Sequence, residues 1–561
     1  MATQADAASS RGVDLLVFPV ATLCGPMPLD FGMQTAFMRD AEDVLGRLAS
    51  VVPCDCLVPV VKVLDEFPVV EVVLLRGGAA TPLRFGPLSG PSLREDTTDE
   101  TMRTALALPV VEAKGGNVQL AFSYEDLDDL CEYGTDADAV CLLSDYGFAV
   151  DDVSSALGAA LAEARFSDDA TDLGAWLVCV GSVGGYGTQV FAGSSCVISP
   201  AGQLVAVSPA FEEDLLVADL QAATGPDAQD CLEPELYDGR AHLWQALVLG
   251  IRDFVRDVGK SDAVLALDGS IASMLLAVLA TDALGPTHVH AVLAAAEAHP
   301  RARMLEGLVS SLRIASSKAY PDASGDEAAS SDAAMVQLAA RARELGAVVL
   351  SSHDKTALAL ELREDRLSLG SFAPLGDVYR SDVLDVARLR NTVSPVMPPL
   401  EVLDCDLPSL GLAQRWGRER LLQQVDVVLA SHVEGGWGLS EIAMSMGDDE
   451  LVSAVLSCLR NHDLARASMP PCLALTTRTL DEYRMPLGLA WHDHRREVTP
   501  LVGTQREETH SREASPKSRR TSRQPSAGDD VMDEYAVREA LGLLHDLASE
   551  RTPEWHPFSE N

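Results

Sequence analysis

A strand, a glycine-containing turn, a helix and a second strand follow one another within a short stretch of the chain. The first strand covers residues 263–267 and is apolar throughout, the helix runs over residues 273–284, and the second strand covers residues 289–293. Because two strands joined through a helix lie parallel, the pattern predicts a βαβ unit in a parallel sheet. An amphipathic helix at 241–258 precedes it and an apolar strand follows at 347–350. This part of the chain is therefore predicted to form an α/β domain.

The N-terminal part of the chain also alternates short strands with helical stretches. Apolar runs predict strands at 14–19, 57–63 and 69–75, and residues 35–50 carry apolar side chains at helical spacing. The segments 193–198 and 204–207 flank Ser199-Pro200-Ala201-Gly202, a turn-forming sequence, and so predict a β-hairpin. We therefore expect a separate α/β domain here.

Composition changes mark the domain boundaries. A stretch rich in Pro, Gly and Asp at 224–234 separates a predicted domain at 1–223 from a second at 235–494, in which helical patterns dominate residues 410–464. Residues 495–530 are rich in Ser, Thr, Arg and Gln, which is typical of a disordered linker. In the tail at 531–561, one short amphipathic helix is expected over 531–548.

Charge and apolar patterning limit the partners and the compartment. The chain has 43 Lys plus Arg against 84 Asp plus Glu, a net charge of -41, so it repels nucleic acid and anionic lipid and we expect neither as a partner. Residues 1–10 show no secretory signal, and the longest strongly apolar stretch, at 271–280, is too short to span a bilayer. The 11 cysteines are scattered, and we expect reduced, mostly buried thiols in a soluble cytoplasmic protein.

Three stretches of the second domain carry a specific resemblance. They are residues 244–255 with the strand at 263–267, Gly370-Ser371-Phe372-Ala373-Pro374-Leu375-Gly376-Asp377-Val378 with residues 384–391, and Met469-Pro470-Pro471-Cys472-Leu473 with residues 476–478 and 484–486. In this order and spacing they resemble the synthetase half of glutamine-dependent NAD+ synthetases. Residues 14–19, 124–127 and 190–215 resemble the glutaminase domain of the same family, and the resemblance covers about residues 12–492.

The resemblance implies a fold and an activity. The fold is a nitrilase-like α-β-β-α sandwich followed by a Rossmann-like parallel-sheet domain of the adenine nucleotide α-hydrolase type. In that family a nitrilase-type cysteine hydrolyses glutamine, and the ammonia passes to the second domain. There ATP, with magnesium, adenylates the carboxylate of nicotinic acid adenine dinucleotide, and ammonia displaces AMP. Family members assemble as homo-oligomers.

The glutaminase residues of the family are replaced in this chain. Amide hydrolysis of this type needs a thiolate nucleophile, a glutamate base and a lysine that stabilises the oxyanion. Val20 stands at the glutamate position of the Phe-Pro-Glu motif, and Tyr124 stands at the cysteine position before Glu125-Asp126-Leu127. A phenol is a poor substitute because its pKa is near 10. We expect Cys131 and Cys141 to be ordinary buried cysteines rather than replacements.

The oxyanion lysine is also missing. It is expected at 81–94, where the chain has Arg84 and Arg94 but no lysine. Lys62 and Lys114 are the only other lysines before Lys260, and neither aligns with the family position. All three glutaminase roles are therefore predicted to be vacant.

The pyrophosphate loop of the family, Ser-Gly-Gly-Ile-Asp-Ser, reads Asp268-Gly269-Ser270-Ile271-Ala272-Ser273 in this chain. Gly269 and Ser273 persist, but Asp268 places a carboxylate where pyrophosphate would bind and Ser270 replaces a glycine. Ala272 cannot bind magnesium. An ordinary helix N-terminus with Asp268 as the N-cap fits this sequence better than an active nucleotide loop.

Other nucleotide-binding positions are changed as well. The family's Thr-Gly-Asn-Lys-Ser-Glu reads Ser352-His353-Asp354-Lys355-Thr356-Ala357, so Lys355 is kept but the magnesium carboxylate becomes Ala357. The family's helix with two arginines corresponds to residues 328–334, which contain no arginine. Gly376 stands at the lysine position of the family's Pro-Leu-Lys-Asp motif, and Ala294-Ala295-Ala296 stands in place of Met-Pro-Ser at the end of a strand. Residues outside these sites, such as Gly370, Phe372, Pro374 and Asp377, match the family mainly at turn, cap and packing positions, which indicates a kept fold with emptied sites.

Three interpretations follow from these residues. The first is a catalytically inactive relative with a scaffold, regulatory or binding role, with no cofactor and no metal site. The second is an active NAD+ synthetase that uses ATP and magnesium. The third is a nucleotide- or small-ligand-binding module using Asp268, Gly269, Ser270, Ser273 and Lys355, although Asp268, His353, Asp354 and Lys355 are more often solvated surface residues. Partners implied by the resemblance are a second copy of the chain or an active paralogue.

Overall fold

The fold is described from a computed structural model. The described residues are 1–20, 22–26, 34–64, 67–87, 108–144, 146–151, 157–220, 231–234, 237–294, 300–318, 327–362, 368–398, 418–486, 491 and 493–494. The predicted linker at 495–530 and the predicted tail helix at 531–548 lie outside them, as does most of the predicted boundary at 224–234.

The first sheet of the N-terminal half has four strands in the order β1-β2-β3-β4. Their bounds are Leu15–Val17, Asp55–Leu64, Phe67–Arg76 and Ala79–Pro87. β1 runs parallel to β2, and β2, β3 and β4 are antiparallel neighbours. Two helices, α1 (Ala2–Ser10) and α2 (Thr35–Val51), place Ala5, Ala8, Leu45 and Ala49 against one face of the sheet. The apolar spacing read from residues 35–50 therefore marks the buried side of α2.

The second sheet of this half has six strands in the order β12-β11-β8-β7-β6-β5. The strands are β5 (Val110–Ala113), β6 (Gly116–Ala121), β7 (Ala139–Ser144), β8 (Trp176–Gly181), β11 (Cys196–Ile198) and β12 (Leu204–Val207), and β9 (Val183–Tyr186) with β10 (Gln189–Ala192) forms a separate hairpin. Helices α3 (Tyr124–Tyr133), α4 (Leu157–Ala162) and α5 (Arg165–Leu173) cover its outer face. Its inner face packs on the first sheet, where Cys141 and Val180 of the second sheet share an apolar cluster with Leu57 and Val72 of the first. The predicted α-β-β-α sandwich is confirmed.

The second half contains an all-parallel sheet in the order β15-β14-β13-β16. The strands are β13 (Ala263–Leu267), β14 (Val289–Leu293), β15 (Ala315–Lys318) and β16 (Val348–Leu350), and the helices around them are α6 (Gly239–Asp257), α7 (Ile271–Leu284), α8 (Pro300–Leu312) and α9 (Glu327–Leu345). The predicted βαβ unit is therefore confirmed. Its central helix α7 is buried on nearly all sides, which explains why its sequence is continuously apolar rather than amphipathic.

A helical region follows the parallel sheet. It contains α10 (Lys355–Leu360), α11 (Arg380–Val393), α12 (Arg418–Val433), α13 (Leu439–Met446), α14 (Asp449–Asn461) and α15 (Asp463–Arg466). Side chains of α10, α12, α13 and α14 share one apolar core. Within the described ranges, no helix is both long and apolar enough to cross a membrane.

The two halves meet along residues 472–478, which we call the joint segment. On one side Ala373 forms a parallel bridge with Cys472, and on the other Ala474 forms a parallel bridge with Gln189 of β10. The hairpin β9–β10 also contacts α6, where the Gly185 N–H donates to Asp253 Oδ2 at 2.8 Å. A Cβ at Gly185 would lie 2.9 Å from the Asp253 Cβ, so the glycine permits this close approach.

Candidate functional site

Val20, at the position of the family's glutamate base, lies in the core of the N-terminal half. Its side chain is 3% exposed and packs in the apolar layer between the two sheets. The preceding chain is fixed by the Phe18 N–H, which donates to Leu57 O at 3.0 Å as β1 ends. A group that must accept a proton from a nucleophile needs a basic atom, and valine has none.

Tyr124, at the position of the nucleophile, is the first residue of α3. The helix begins with a capping box in which Ser123 Oγ accepts from the Asp126 N–H and the Asp126 side chain accepts from the Ser123 N–H. The Tyr124 ring stacks on Tyr146 with centroids 5.2 Å apart, and the Arg165 guanidinium lies 4.1 Å from its centroid. Burial raises the pKa of the Tyr124 phenol well above its usual value, so the phenol stays protonated at neutral pH.

Neither alternative cysteine has the environment of a nucleophile. Cys141 is buried in β7, and burial raises the pKa of its thiol to about 12. Cys131 donates from α3 to Asp169 O at 3.7 Å. A reactive cysteine needs a lowered pKa and access to substrate. Cys141 is therefore buried as predicted, whereas Cys131 is half-buried, so the predicted burial is wrong for Cys131.

The lysines of the N-terminal half are engaged at its surface. Lys62 Nζ lies 2.5 Å from Glu71 Oε2 and 3.5 Å from Glu42 Oε1. Lys114 is 84% exposed in its side chain and pairs with Asp14 at 3.0 Å. Residues 81–87 belong to β4, but Arg94 and the Arg84 side chain lie outside the described part of the chain.

The loop at 268–273 is occupied by one of its own side chains. Asp268 Oδ1 accepts from the Ser270 N–H at 2.8 Å and from Ser273 Oγ at 2.6 Å, and Gly269 supplies the turn with a φ of +90°. The predicted N-cap was wrong: Ser270 is the N-cap of α7, and its Oγ accepts from the Ser273 N–H at 3.2 Å. Asp268 instead closes the turn that precedes the cap. Its carboxylate accepts the hydrogen bonds of two groups that could otherwise donate to a bound anion.

Lys355 is completely buried, which makes its predicted solvated position wrong. Its Nζ lies 2.7 Å from Asp377 Oδ1 and 2.5 Å from Glu434 Oε1, and it donates to Thr476 Oγ1 at 2.8 Å and to Arg478 O at 2.9 Å. Burial alone would lower the pKa of Lys355, but the two carboxylates more than offset that effect and raise it. An ammonium has three N–H donors, so four oxygens already surround all that it can donate.

Residues that local sequence patterns did not single out complete this network. Tyr379 Oη donates to Glu434, and the Lys355 Nζ lies 5.0 Å from the Tyr379 ring centroid. We call Lys355, Asp377, Glu434, Thr476 and Tyr379 the Lys355 cluster. Its members come from distant parts of the chain, so only the tertiary fold brings them together.

Asp354 and Ala357 lie at the start of α10. Asp354 was also predicted to be solvated, and this was wrong: it is buried, caps α10 by accepting from the Ala357 N–H at 2.7 Å, and pairs with Arg380 at 2.9 Å. The side chain of Ala357 is buried and offers no oxygen for magnesium. His353 is half-buried, whereas Asp268 is exposed as predicted.

The position of the missing lysine in Pro-Leu-Lys-Asp is filled by packing. A Cβ at Gly376 would lie 2.7 Å from the Cys472 Cβ and 3.1 Å from Leu358 Cδ1. A lysine there would require the backbone or Cys472 to move. On α9, Ala334 packs in an apolar cluster, while the side chains of residues 328–331 and both Ala295 and Ala296 lie outside the described residues.

The donor set does not fit ATP with magnesium in the manner the resemblance implies. Ala272 and Ala357 carry no carboxylate, Lys355 is surrounded by protein oxygens, and the Asp268 carboxylate holds two donors of the loop. Over the ranges that the structure describes, no three His, Cys, Asp or Glu side chains are grouped to hold a metal ion.

Comparison with known proteins shows what this chain is similar to. Residues 100–229 match the carbon-nitrogen hydrolase family. The glutamine-dependent NAD(+) synthetase of Synechocystis is 26% identical over 539 residues, covering 87% of this chain and 95% of the relative. The synthetase of that name from Rhodobacter capsulatus is 26% identical over 562 residues, covering 87% and 94%.

Two solved structures share the fold over the same extent. The glutamine-dependent NAD+ synthetase of Acinetobacter baumannii in complex with ADP has a TM-score of 0.60 at 20% identity, covering 86% of this chain and 94% of that one. The enzyme of Cytophaga hutchinsonii has a TM-score of 0.65 at 11% identity, covering 86% and 93%. Over most of its length the chain is therefore similar to glutamine-dependent NAD+ synthetases, and its N-terminal half contains the match to the carbon-nitrogen hydrolase family.

Proposed function

We propose that this protein is a catalytically inactive relative of glutamine-dependent NAD+ synthetases, with a scaffold, regulatory or binding role. The observation that carries the proposal is the loop at 268–273, where the Asp268 carboxylate takes the Ser270 N–H and the Ser273 hydroxyl. An anionic phosphate approaching this loop meets a fixed anion instead of free donors. Neither Ala272 nor Ala357 can recruit a magnesium ion to offset that repulsion.

The N-terminal half supports the proposal independently. Glutamine hydrolysis needs a nucleophile and a base in contact, and Val20 and Tyr124 supply neither. Because the pKa of the Tyr124 phenol is raised by burial, the reactive phenolate is not formed near neutral pH. Loss of function in this half alone would leave an ammonia-dependent enzyme, so the changes in both halves matter.

A second candidate is an active NAD+ synthetase. The observation that favours it is the match over 87% of the chain to relatives that carry the name glutamine-dependent NAD(+) synthetase. Such an enzyme would use glutamine or ammonia, ATP and magnesium to amidate nicotinic acid adenine dinucleotide.

One assay separates the two candidates. The purified full-length chain is incubated with nicotinic acid adenine dinucleotide, ATP and magnesium, and with either glutamine or ammonium chloride as the nitrogen source. We expect no glutamate, AMP or NAD+ above background, with the Synechocystis relative as the positive control. NAD+ formed with ammonium alone would show that the second domain is active and would refute the proposal for that half. NAD+ formed with glutamine would refute it entirely.

A binding role is tested by thermal shift. Under the proposal of an empty scaffold, ATP, AMP and nicotinic acid adenine dinucleotide each leave the melting temperature unchanged, with and without magnesium. A rise with one nucleotide would instead favour the ligand-binding module and would place its site at Asp268, Gly269, Ser270, Ser273 or Lys355, where single alanine variants can locate it.

The partners and compartment are also proposals. We infer a cytoplasmic protein that associates with itself or with an active synthetase paralogue, because family members form homo-oligomers and the acidic surface disfavours nucleic acid and membrane. Co-purification from the native cell tests this inference. Recovery of an intact synthetase or of a second copy supports it, and recovery of the chain as a lone monomer contradicts it.

A further inference from the structure

The Lys355 cluster lies against the joint segment at 472–478. Lys355 Nζ donates to Thr476 Oγ1 and to Arg478 O. Its partner Asp377 accepts from the Leu475 and Thr476 N–H groups, each at 2.8 Å. The second domain therefore binds this stretch of backbone by one buried carboxylate, which is itself held by one buried ammonium.

The N-terminal half binds the same few residues. The Ala474 N–H donates to Thr188 O and the Val150 N–H donates to Leu475 O, each at 2.7 Å. Asp151 accepts from the Thr477 N–H at 2.8 Å and from Thr477 Oγ1 at 2.7 Å. The joint segment thus has hydrogen bonds to the N-terminal half on one side and to the second domain on the other.

Charge balance makes Lys355 the critical member of the cluster. Asp377 is fully buried and the Glu434 side chain is 10% exposed, so neither carboxylate can be hydrated in place. Without the Lys355 ammonium, both carboxylates would remain in the interior without a compensating cation. Removing one partner of a buried ion pair is strongly destabilising because the remaining charge is left uncompensated. The backbone that Asp377 holds would then be released.

We propose that Lys355 fixes the placement of the two domains by holding the joint segment in the conformation that the N-terminal half pairs with. A lysine that resembles part of a nucleotide-binding motif is in this protein a positioning residue for the domain joint. The proposal does not depend on whether the protein is catalytically active, because it concerns contacts within the chain alone.

Hydrogen–deuterium exchange of the full chain tests the proposal through amides that lie far from Lys355 in sequence. The reporters are the Val150 and Gly185 N–H groups, which belong to the N-terminal half but donate to Leu475 O and to Asp253 across the joint. In Lys355→Met we expect both to exchange about tenfold faster, while the amides of β7 and β8 keep their protection. The matched control is Lys318→Met, which removes an exposed lysine paired with Glu306 and should change neither reporter.

A merely local role for Lys355 gives a different pattern. Faster exchange confined to residues 355–360 and 474–478, with Val150 and Gly185 unchanged, would overturn the proposal. If Lys355→Met does not fold, Thr476→Val provides the test in a milder form, because it leaves every charge in place and removes the hydroxyl through which Lys355 and Asp377 contact the joint segment. It should speed the two reporters about threefold, and unchanged reporters in this variant would equally overturn the proposal.

Discussion

Gly376 illustrates how neighbouring atoms can leave no room for a side chain at a backbone position. The lysine of the family motif is absent, and the space next to the backbone holds the Cys472 side chain and Leu358. Because Cβ contacts of 2.7 Å essentially do not occur, the site has been repacked around a glycine. Restoring a larger side chain alone therefore cannot restore a binding site.

We expect Gly376→Ala to lower the free energy of unfolding by about 1–3 kcal/mol, because the added methyl group overpacks the core. Urea denaturation of both proteins measures the difference. The matched control is Gly307→Ala in α8, where a Cβ meets nothing within 4 Å and the loss of a helical glycine should stabilise by about 0.5–1 kcal/mol. Equal stability of the two variants would show that Gly376 is not tightly packed.

Asp426 gives the protein a pH dependence that is unusual for an aspartate. It is fully buried between Thr356 Oγ1, which donates at 2.7 Å, and the Ser381 N–H, which donates at 2.8 Å. Burial raises the pKa of its carboxyl group to about 7, against about 4 in an unfolded chain. Between these values the folded state binds more protons than the unfolded state, so stability falls as pH rises.

The prediction is that Asp426 contributes stability at pH 5 that is lost by pH 8. In Asp426→Asn, which cannot titrate, the decrease in the free energy of unfolding over this range should be smaller by about 2–4 kcal/mol. Denaturant titrations at pH 5, 6, 7 and 8 measure it, with Asp282→Asn on the surface of α7 as the control. An identical pH profile in wild type and Asp426→Asn would contradict the raised pKa.

The start of α7 shows how a helix N-cap residue differs from a residue that closes the preceding turn. Ser270 and Asp268 both accept hydrogen bonds from nearby donors, but only Ser270 bonds the backbone of the first helical turn. Both residue types are favoured at helix N-termini, so the sequence cannot choose between two such residues that stand so close together. The error in predicting the cap therefore has a specific cause.

Ser270→Ala should destabilise the protein by about 1 kcal/mol, because the Ser273 N–H loses its cap. Thermal unfolding followed by circular dichroism measures this loss. Ser311→Ala is the control, since Ser311 Oγ donates to Gly307 O within an exposed part of α8 and its removal should change stability little. If both variants melt together with wild type, Ser270 is not the effective cap.

The elements themselves were largely predictable from sequence. Strands β13 and β14 were predicted to the residue. β13 is a short apolar run between Asp262 and Asp268, and β14 begins after His288 and ends where a run of alanines starts. Helix α6 was also found from its apolar periodicity, within two residues at its ends. Tertiary contacts are not encoded in such local patterns, which is why Lys355 and Asp354 were wrongly predicted to be solvated.

Over the whole molecule, repulsion between like charges is the dominant long-range interaction. A charge of -41 means that exposed carboxylates repel one another in the compact state more than in the expanded one. At an ionic strength of about 10 mM this repulsion reaches roughly 30 Å, and at about 150 mM it reaches roughly 8 Å.

We therefore expect the melting temperature to rise by about 2–6 °C between 10 and 150 mM salt. Scanning calorimetry measures it, and sodium chloride should act like tetramethylammonium chloride because screening does not depend on the cation. A melting temperature that falls with salt would show that attractive surface ion pairs outweigh the general repulsion.

The joint segment also has a consequence for the order in which the chain is made. Thr477 and Asp151 are 326 residues apart in sequence, yet they form a hydrogen bond. Thr188 O likewise accepts from the Ala474 N–H, which is made much later in translation. During synthesis the N-terminal half therefore leaves the ribosome with hairpin backbone groups unpaired. They stay open to wrong partners until nearly all of the second domain has been translated. For this protein, the closing step of folding is a contact between an early product of translation and a late one.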